Sequence, residues 1–351
     1  WAMMAALISS AMWVNLATYV GAPVSTTHSV VGGVMGAGIA AAGFGAVNWA
    51  TMSKIAASWV ISPVLGGVVA ALFLAFIKVK IIYQEDKIAA ARRWVPVLIG
   101  IMAAAFASYL ALKGLKRIYK IDLGLALSIG AGIGLLLYFV SRPLINRQSQ
   151  GLENRNKSLK ILFNVPLIFS AALLSFAHGA NDVANAVGPL AAIVHALEFD
   201  GAATKVAIPL WVMIIGAFGI SFGLFLFGPK LIRMVGSQIT KLNAMRAYCV
   251  ALSAAITVIV ASWLGLPVSS THIAVGAVFG VGFYREYEVK RRTQKMAKLT
   301  QSGTLAPEER KRRKLVRRSH FMTIIAAWVI TVPAAALLSA VIFLVLNAIF
   351  V

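Results

Sequence analysis

One carboxylate of this chain stands where carboxylates are expensive. Asp182 lies in the apolar run FAHGANDVANAVGPLAA, Phe176 to Ala192, with His178, Asn181 and Asn185 close by in sequence. An ionisable group inside hydrocarbon is costly unless it is paired or hydrated, and marks a functional site by default. On a helix, His178 and Asp182 are four apart, as are Asn181 and Asn185, so two adjacent stripes present imidazole, carboxylate and amides. Hard oxygen ligands of this kind suit Na⁺ or a transferable proton, and no other metal. A clamp of interhelical hydrogen bonds is the bland alternative. Gly179 and the pair Gly188–Pro189, expected to break the helix, favour a backbone-lined site.

Two hydroxyl clusters are the second candidate. PVSTTH, Pro23 to His28, and PVSSTH, Pro267 to His272, each place three hydroxyl residues after a proline, a recipe for the first turn of a half-helix. Such a terminus offers unpaired N–H groups, the positive end of the helix dipole and hydroxyl donors, which favour an oxyanion without Lys or Arg. Ser25, Thr26 and Thr27 would serve one face of a tetrahedral anion, and Ser269, Ser270 and Thr271 the other. A single copy would read as an ordinary N-cap; two copies of opposite topology read as a binding site. His28, His272 and His178 form a second layer, and for His28 and His272 bonding the anion and orienting the turn stay equally open. Ser269, His272 and Asp182 could instead form an intramembrane hydrolase, a reading weakened by the duplication of the serine cluster. No catalytic residue is assigned, and no cofactor.

These residues need a scaffold, and composition names it. Of 351 residues 60% are hydrophobic and 13% charged, with a mean hydropathy of +0.85, so the chain belongs in a bilayer. Apolar runs of about 20 residues recur, each the length a helix needs to cross a membrane. The best are Trp1 to Val20, Ile55 to Ile77, Trp94 to Leu112, Leu123 to Val140, Ile161 to Phe176, Val206 to Phe227, Ala247 to Leu264 and Phe321 to Phe350. Val24 to Val47, Gly179 to Leu197 and Val268 to Phe283 open with polar residues and are glycine-rich, as interrupted or re-entrant helices are. The net charge of +22 sits almost wholly between spans, which is the positive-inside pattern and excludes nucleic acid as partner. Cys249 lies in an apolar helix, so neither disulfide nor thiolate metal site is expected.

The chain repeats itself. PVSTTHSVVGG at Pro23 to Gly33 returns as PVSSTHIAVGA at Pro267 to Ala277, an offset of 244, and SWVISP at Ser58 to Pro63 returns as AWVITVP at Ala327 to Pro333, with its tryptophan offset by 269. The extra residues of the second copy fall between Tyr284 and Ser319, which hold thirteen Lys or Arg against four Glu. Their counterpart near Asn48 to Ser53 is uncharged, so the copies insert with opposite orientation. Lys78 to Arg93, Arg142 to Lys160 and Lys230 to Arg246 agree as cytoplasmic loops; Lys113, Lys116, Arg117 and Lys120 disagree. The expected fold is an all-α polytopic membrane protein of inverted-topology repeats with discontinuous or re-entrant helices. Residues 1–80 form the remainder of the first repeat, 81–160 connecting transmembrane helices and a basic loop, and 161–351 the second repeat with a basic cytoplasmic loop at 285–318. The partner of the Asp182 motif in the first repeat would fall before Trp1, which predicts about 65 further residues upstream.

GANDVANA, Gly179 to Ala186, together with PVSTTH and PVSSTH, resembles the inorganic phosphate transporters, including bacterial low-affinity phosphate permeases and sodium-coupled eukaryotic relatives. The resemblance covers about Trp1 to Lys80 and Leu159 to Val351. It implies a secondary symporter of inorganic phosphate, free or as metal phosphate, coupled to a proton or Na⁺. It also implies a homodimer in contact with membrane lipid, multi-pass in the bacterial inner membrane. By motif position Ser25, Thr26, Thr27, Ser269, Ser270, Thr271 and Asn181 would contact phosphate, and Asn181, Asp182 and Asn185 would serve the cation. Sulfate or another tetrahedral oxyanion is the alternative cargo.

Overall fold

The computed structural model describes residues 1–22, 24–113, 121–199, 206–238, 242–300 and 318–350. Ten long helices account for most of them: α1 (Ala2–Val20), α2 (Thr26–Ala42), α3 (Trp49–Ile77), α4 (Lys87–Lys113), α5 (Leu123–Gln148), α6 (Asn156–Phe199), α7 (Leu210–Gln238), α8 (Ala244–Trp263), α9 (Ser270–Thr300) and α10 (Arg318–Phe350). Eight of the helices described are long and apolar enough to cross a membrane, and α2 and α9 are the two that are not among them. Local chemistry sets their starts. Asn48, Asp122 and Asn243 each accept a hydrogen bond from a backbone N–H in the first turn of α3, α5 and α8. Lipid-facing composition is plainest on α5 and α7, which leave Leu135, Phe139, Phe218 and Phe225 exposed.

The packed interior is centred on α8, buried on nearly all sides from Met245 to Ala261. A helix that is apolar all round belongs in such a place. Phe163 of α6 lies edge-on to Tyr248, whose hydroxyl donates to Leu98 O of α4 at 2.9 Å. The polar end of an otherwise buried ring is thereby satisfied.

The two copies of the repeated sequence adopt the same local structure. Gly21 and Gly265, one at the end of α1 and one at the end of α8, both take left-handed backbone, φ 83° and 71°, where only glycine is unstrained. Ser25 then caps α2 and Ser269 caps α9. Helix α2 packs most extensively on α10, and α9 on α3, so each half-helix rests on the last helix of the other repeat. Equivalent glycines allow both crossings. A Cβ on Gly32 or Gly36 would run into the backbone of Val332 or Ala336, and one on Gly276 or Gly280 into that of Pro63 or Gly67.

Two expectations change. Gly179 and Gly188–Pro189 do not break the chain: α6 runs unbroken through them for 44 residues, about 66 Å at the usual rise. In lipid an interrupted backbone leaves unpaired polar groups, whereas glycine and proline within a helix are tolerated when neighbouring helices pack against it. The segment expected as a basic loop at 285–318 continues α9 as helix as far as Thr300; residues 301–317 fall outside those described. Lys116, Arg117 and Lys120, whose charge disagreed with the topology, also fall outside them, as does Pro23.

Candidate functional site

Asp182 is buried and held between the first turns of α2 and α9. Thr26 Oγ1 donates to its Oδ2 at 3.2 Å, and Ser270 Oγ to its Oδ1 at 3.0 Å. Thr26 and Ser270 are equivalent positions of the two hydroxyl motifs. Asn181 Nδ2 adds a bond to Oδ1 at 3.0 Å, and His178 Nε2 one to Oδ2 at 2.9 Å, with the tautomer inferred from the carboxylate being the acceptor. Two carboxylate oxygens thus receive four donors, near their full capacity.

A second layer of bonds ties the same elements together. Val268 O, just ahead of the cap of α9, accepts from Asn181 Nδ2 at 3.0 Å and from Thr27 Oγ1 at 3.1 Å. Asn185 Nδ2 donates to Thr27 Oγ1 at 2.9 Å. Asn181 and Asn185 of α6 therefore reach both half-helices. Pro189 has no N–H to offer the carbonyl of Asn185, four residues before it, which leaves that oxygen without its usual helical donor.

The remaining candidates fall into two groups. Ser25 Oγ accepts from His28 N at 3.1 Å and Ser269 Oγ from His272 N at 3.2 Å, so both act as N-caps and keep their hydroxyl protons to donate. Thr271 takes no part in the network around Asp182. His28 and His272 turn away from it and meet each other edge to face, ring centroids 4.3 Å apart. Trp59 lies against His28 at 3.9 Å and Trp328 against His272 at 3.8 Å, making a column of four rings. None of the four imidazole nitrogens has a hydrogen-bond partner.

The carbonyl of Val268 and the two tryptophans were not among the candidates read from sequence. A backbone oxygen carries no residue signature. The tryptophans did leave a signal, since both recur in the repeated SWVISP and AWVITVP segments.

Chemically, two positive helix termini and their hydroxyls converge on one spot, and a carboxylate fills it. An oxyanion is what such donors select. The sequence profile of the phosphate transporter family matches residues 1–339. A candidate phosphate permease of Helicobacter pylori (strain J99) is 46% identical to the chain, over 98% of this chain and 75% of that protein. Another, of Pyrococcus abyssi, is 34% identical over 98% and 78%. A solved sodium-dependent phosphate transporter superposes with a TM-score of 0.86 at 34% identity, covering 99% of this chain and 80% of that one. The chain is a multi-pass integral membrane protein and belongs to the phosphate transporter family.

Proposed function

We propose that the chain is a symporter in which a cation at Asp182 licenses phosphate to bind. The observation that carries this is the occupancy of Thr26 and Ser270 by the Asp182 carboxylate. Those hydroxyls are the donors an anion needs. While Asp182 is charged and bonded to them it repels phosphate and occupies its ligands. A proton or Na⁺ on Asp182 removes the charge and weakens both bonds, and Thr26 and Ser270 turn to phosphate between the termini of α2 and α9. Asn181 and Asn185 follow, since each already bridges α6 to a half-helix. Phosphate alone meets a repelling carboxylate, and the cation alone leaves two termini without an anion. Only the loaded pair is electrostatically satisfied, and rocking of the repeats then exposes it on the other side.

Radiolabelled phosphate uptake into proteoliposomes, with a Na⁺ gradient or a proton gradient imposed separately, tests this. Uptake under one gradient names the ion. Asp182→Asn, which fixes the side chain in a neutral state, is expected to lower gradient-driven uptake at least a hundredfold while phosphate binding at zero gradient survives. Absence of uptake under both gradients refutes phosphate symport, and competition by sulfate at equal concentration refutes selectivity for phosphate.

A further inference from the structure

Trp59 and Trp328 hold equivalent places in the repeated segments, and their rings do equivalent things, each lying against the histidine of its own repeat. Their N–H groups do not. Trp59 Nε1 donates to Pro267 O at 3.0 Å, so α3 grips the backbone just ahead of α9. Trp328 Nε1 is buried without a partner. The inequality recurs one layer away: Ser253 Oγ of α8 reaches Gly66 O of α3, whereas Ser9, its counterpart in α1, bonds Ala6 O in its own helix. A buried donor left unpaired costs more than a made bond gains, so native structures keep one only for a reason.

Inverted repeats supply the reason. If the halves exchange conformations during transport, a bond made in one copy and absent from the other is the expected mark of either end state. We propose that Trp59 and Trp328 are alternating positioning residues. In the present conformation the Trp59 N–H holds the turn ahead of α9, and the Trp328 N–H holds no carbonyl. In the opposite-facing conformation Trp328 donates to a backbone carbonyl of the turn ahead of α2, and Trp59 releases Pro267. The consequence reaches the anion site, because Val268, next to Pro267, carries the carbonyl that accepts from Thr27 and Asn181. The proposal rests on the alternating-access reading above.

The test removes the N–H and keeps the ring. Cysteine reporters are placed singly at Ala22 and Leu266, equivalent half-buried positions in the two turns. The one native cysteine, Cys249, is buried. Labelling by a membrane-impermeant thiol reagent is measured in proteoliposomes. Trp59→Phe should raise labelling at position 266 and lower it at 22, by about fivefold, the effect of one neutral hydrogen bond on a two-state equilibrium. Trp328→Phe should do the reverse, and the double variant should return to the parent ratio. Shifts in the same direction, no shift, or a double variant no closer to the parent overturn the proposal. Should phenylalanine impair folding, 3-benzothienylalanine keeps the indole's volume and removes the same donor. Uptake by the parent in the same vesicles separates the two readings: uptake without opposed shifts refutes only the tryptophan exchange, and opposed shifts without uptake refute only phosphate carriage.

Discussion

Thr26 and Ser270 donate to opposite oxygens of one carboxylate from opposite repeats, and that pairing makes a prediction at the level of single atoms. A hydroxyl bonded to a charged group contributes about 1.5–3 kcal/mol, or roughly ten- to a hundredfold in binding. Thr26→Val and Ser270→Ala should each raise the phosphate KM by about tenfold or more, to similar extents. Because each also takes a donor from the buried Asp182 carboxylate, each should lower stability in detergent by about 1–3 kcal/mol. Unequal effects, with one variant silent, would show that the anion rests on one terminus rather than between two. His178 belongs to the same set of atoms, since it alone joins Asp182 from within α6 at the spacing of one helical turn.

At the scale of helices, the glycines that let α2 meet α10 and α9 meet α3 have no room for a methyl group. Ala at Gly36 or Gly280 would collide with backbone of the facing helix, which cannot yield as a flexible side chain does. Each substitution should cost about 1–3 kcal/mol in thermal or denaturant unfolding, as overpacking generally does. Gly38→Ala, whose added carbon meets nothing within 4 Å, is the control and should be neutral or mildly stabilising. These elements also show what sequence could and could not convey. The capped starts of α2 and α9 were legible, because proline and hydroxyls act on their own turn. The unbroken course of α6 was not, since Gly179, Gly188 and Pro189 disfavour a helix locally and only neighbours and lipid reverse the balance. That α3 and α10 change places between repeats is a tertiary pairing for which no local residue type codes.

Across the whole molecule the fold class was legible, and so was the gathering of the polar residues around Asp182. Asp182, Asn181 and the hydroxyl motifs stand out because polar groups are rare among apolar residues and each must find a partner; their meeting follows from that need. Lys78 and Glu288 follow the same logic far from the site. They pair between the end of α3 and α9, with side chains only 14% exposed, and the Lys78 ammonium lies over Tyr284 as well. Lys78→Ala leaves Glu288 without this partner and should lower stability by about 1–3 kcal/mol, whereas exchanging the two residues should recover most of it. Thermal melts of the single and exchanged variants decide this.

The exchanged helices also bear on how the protein is made. While the ribosome is still adding the second repeat, Gly32 and Gly36 of α2 lack the helix that fits them, because α10 follows α3 to α9 in the chain. Gly32 and Gly36 find their cover on α10, and Gly276 and Gly280 theirs on α3, each outside its own half. Assembly therefore waits for α10, and a nascent protein halted before it presents to the quality-control machinery an open seam rather than a finished first domain.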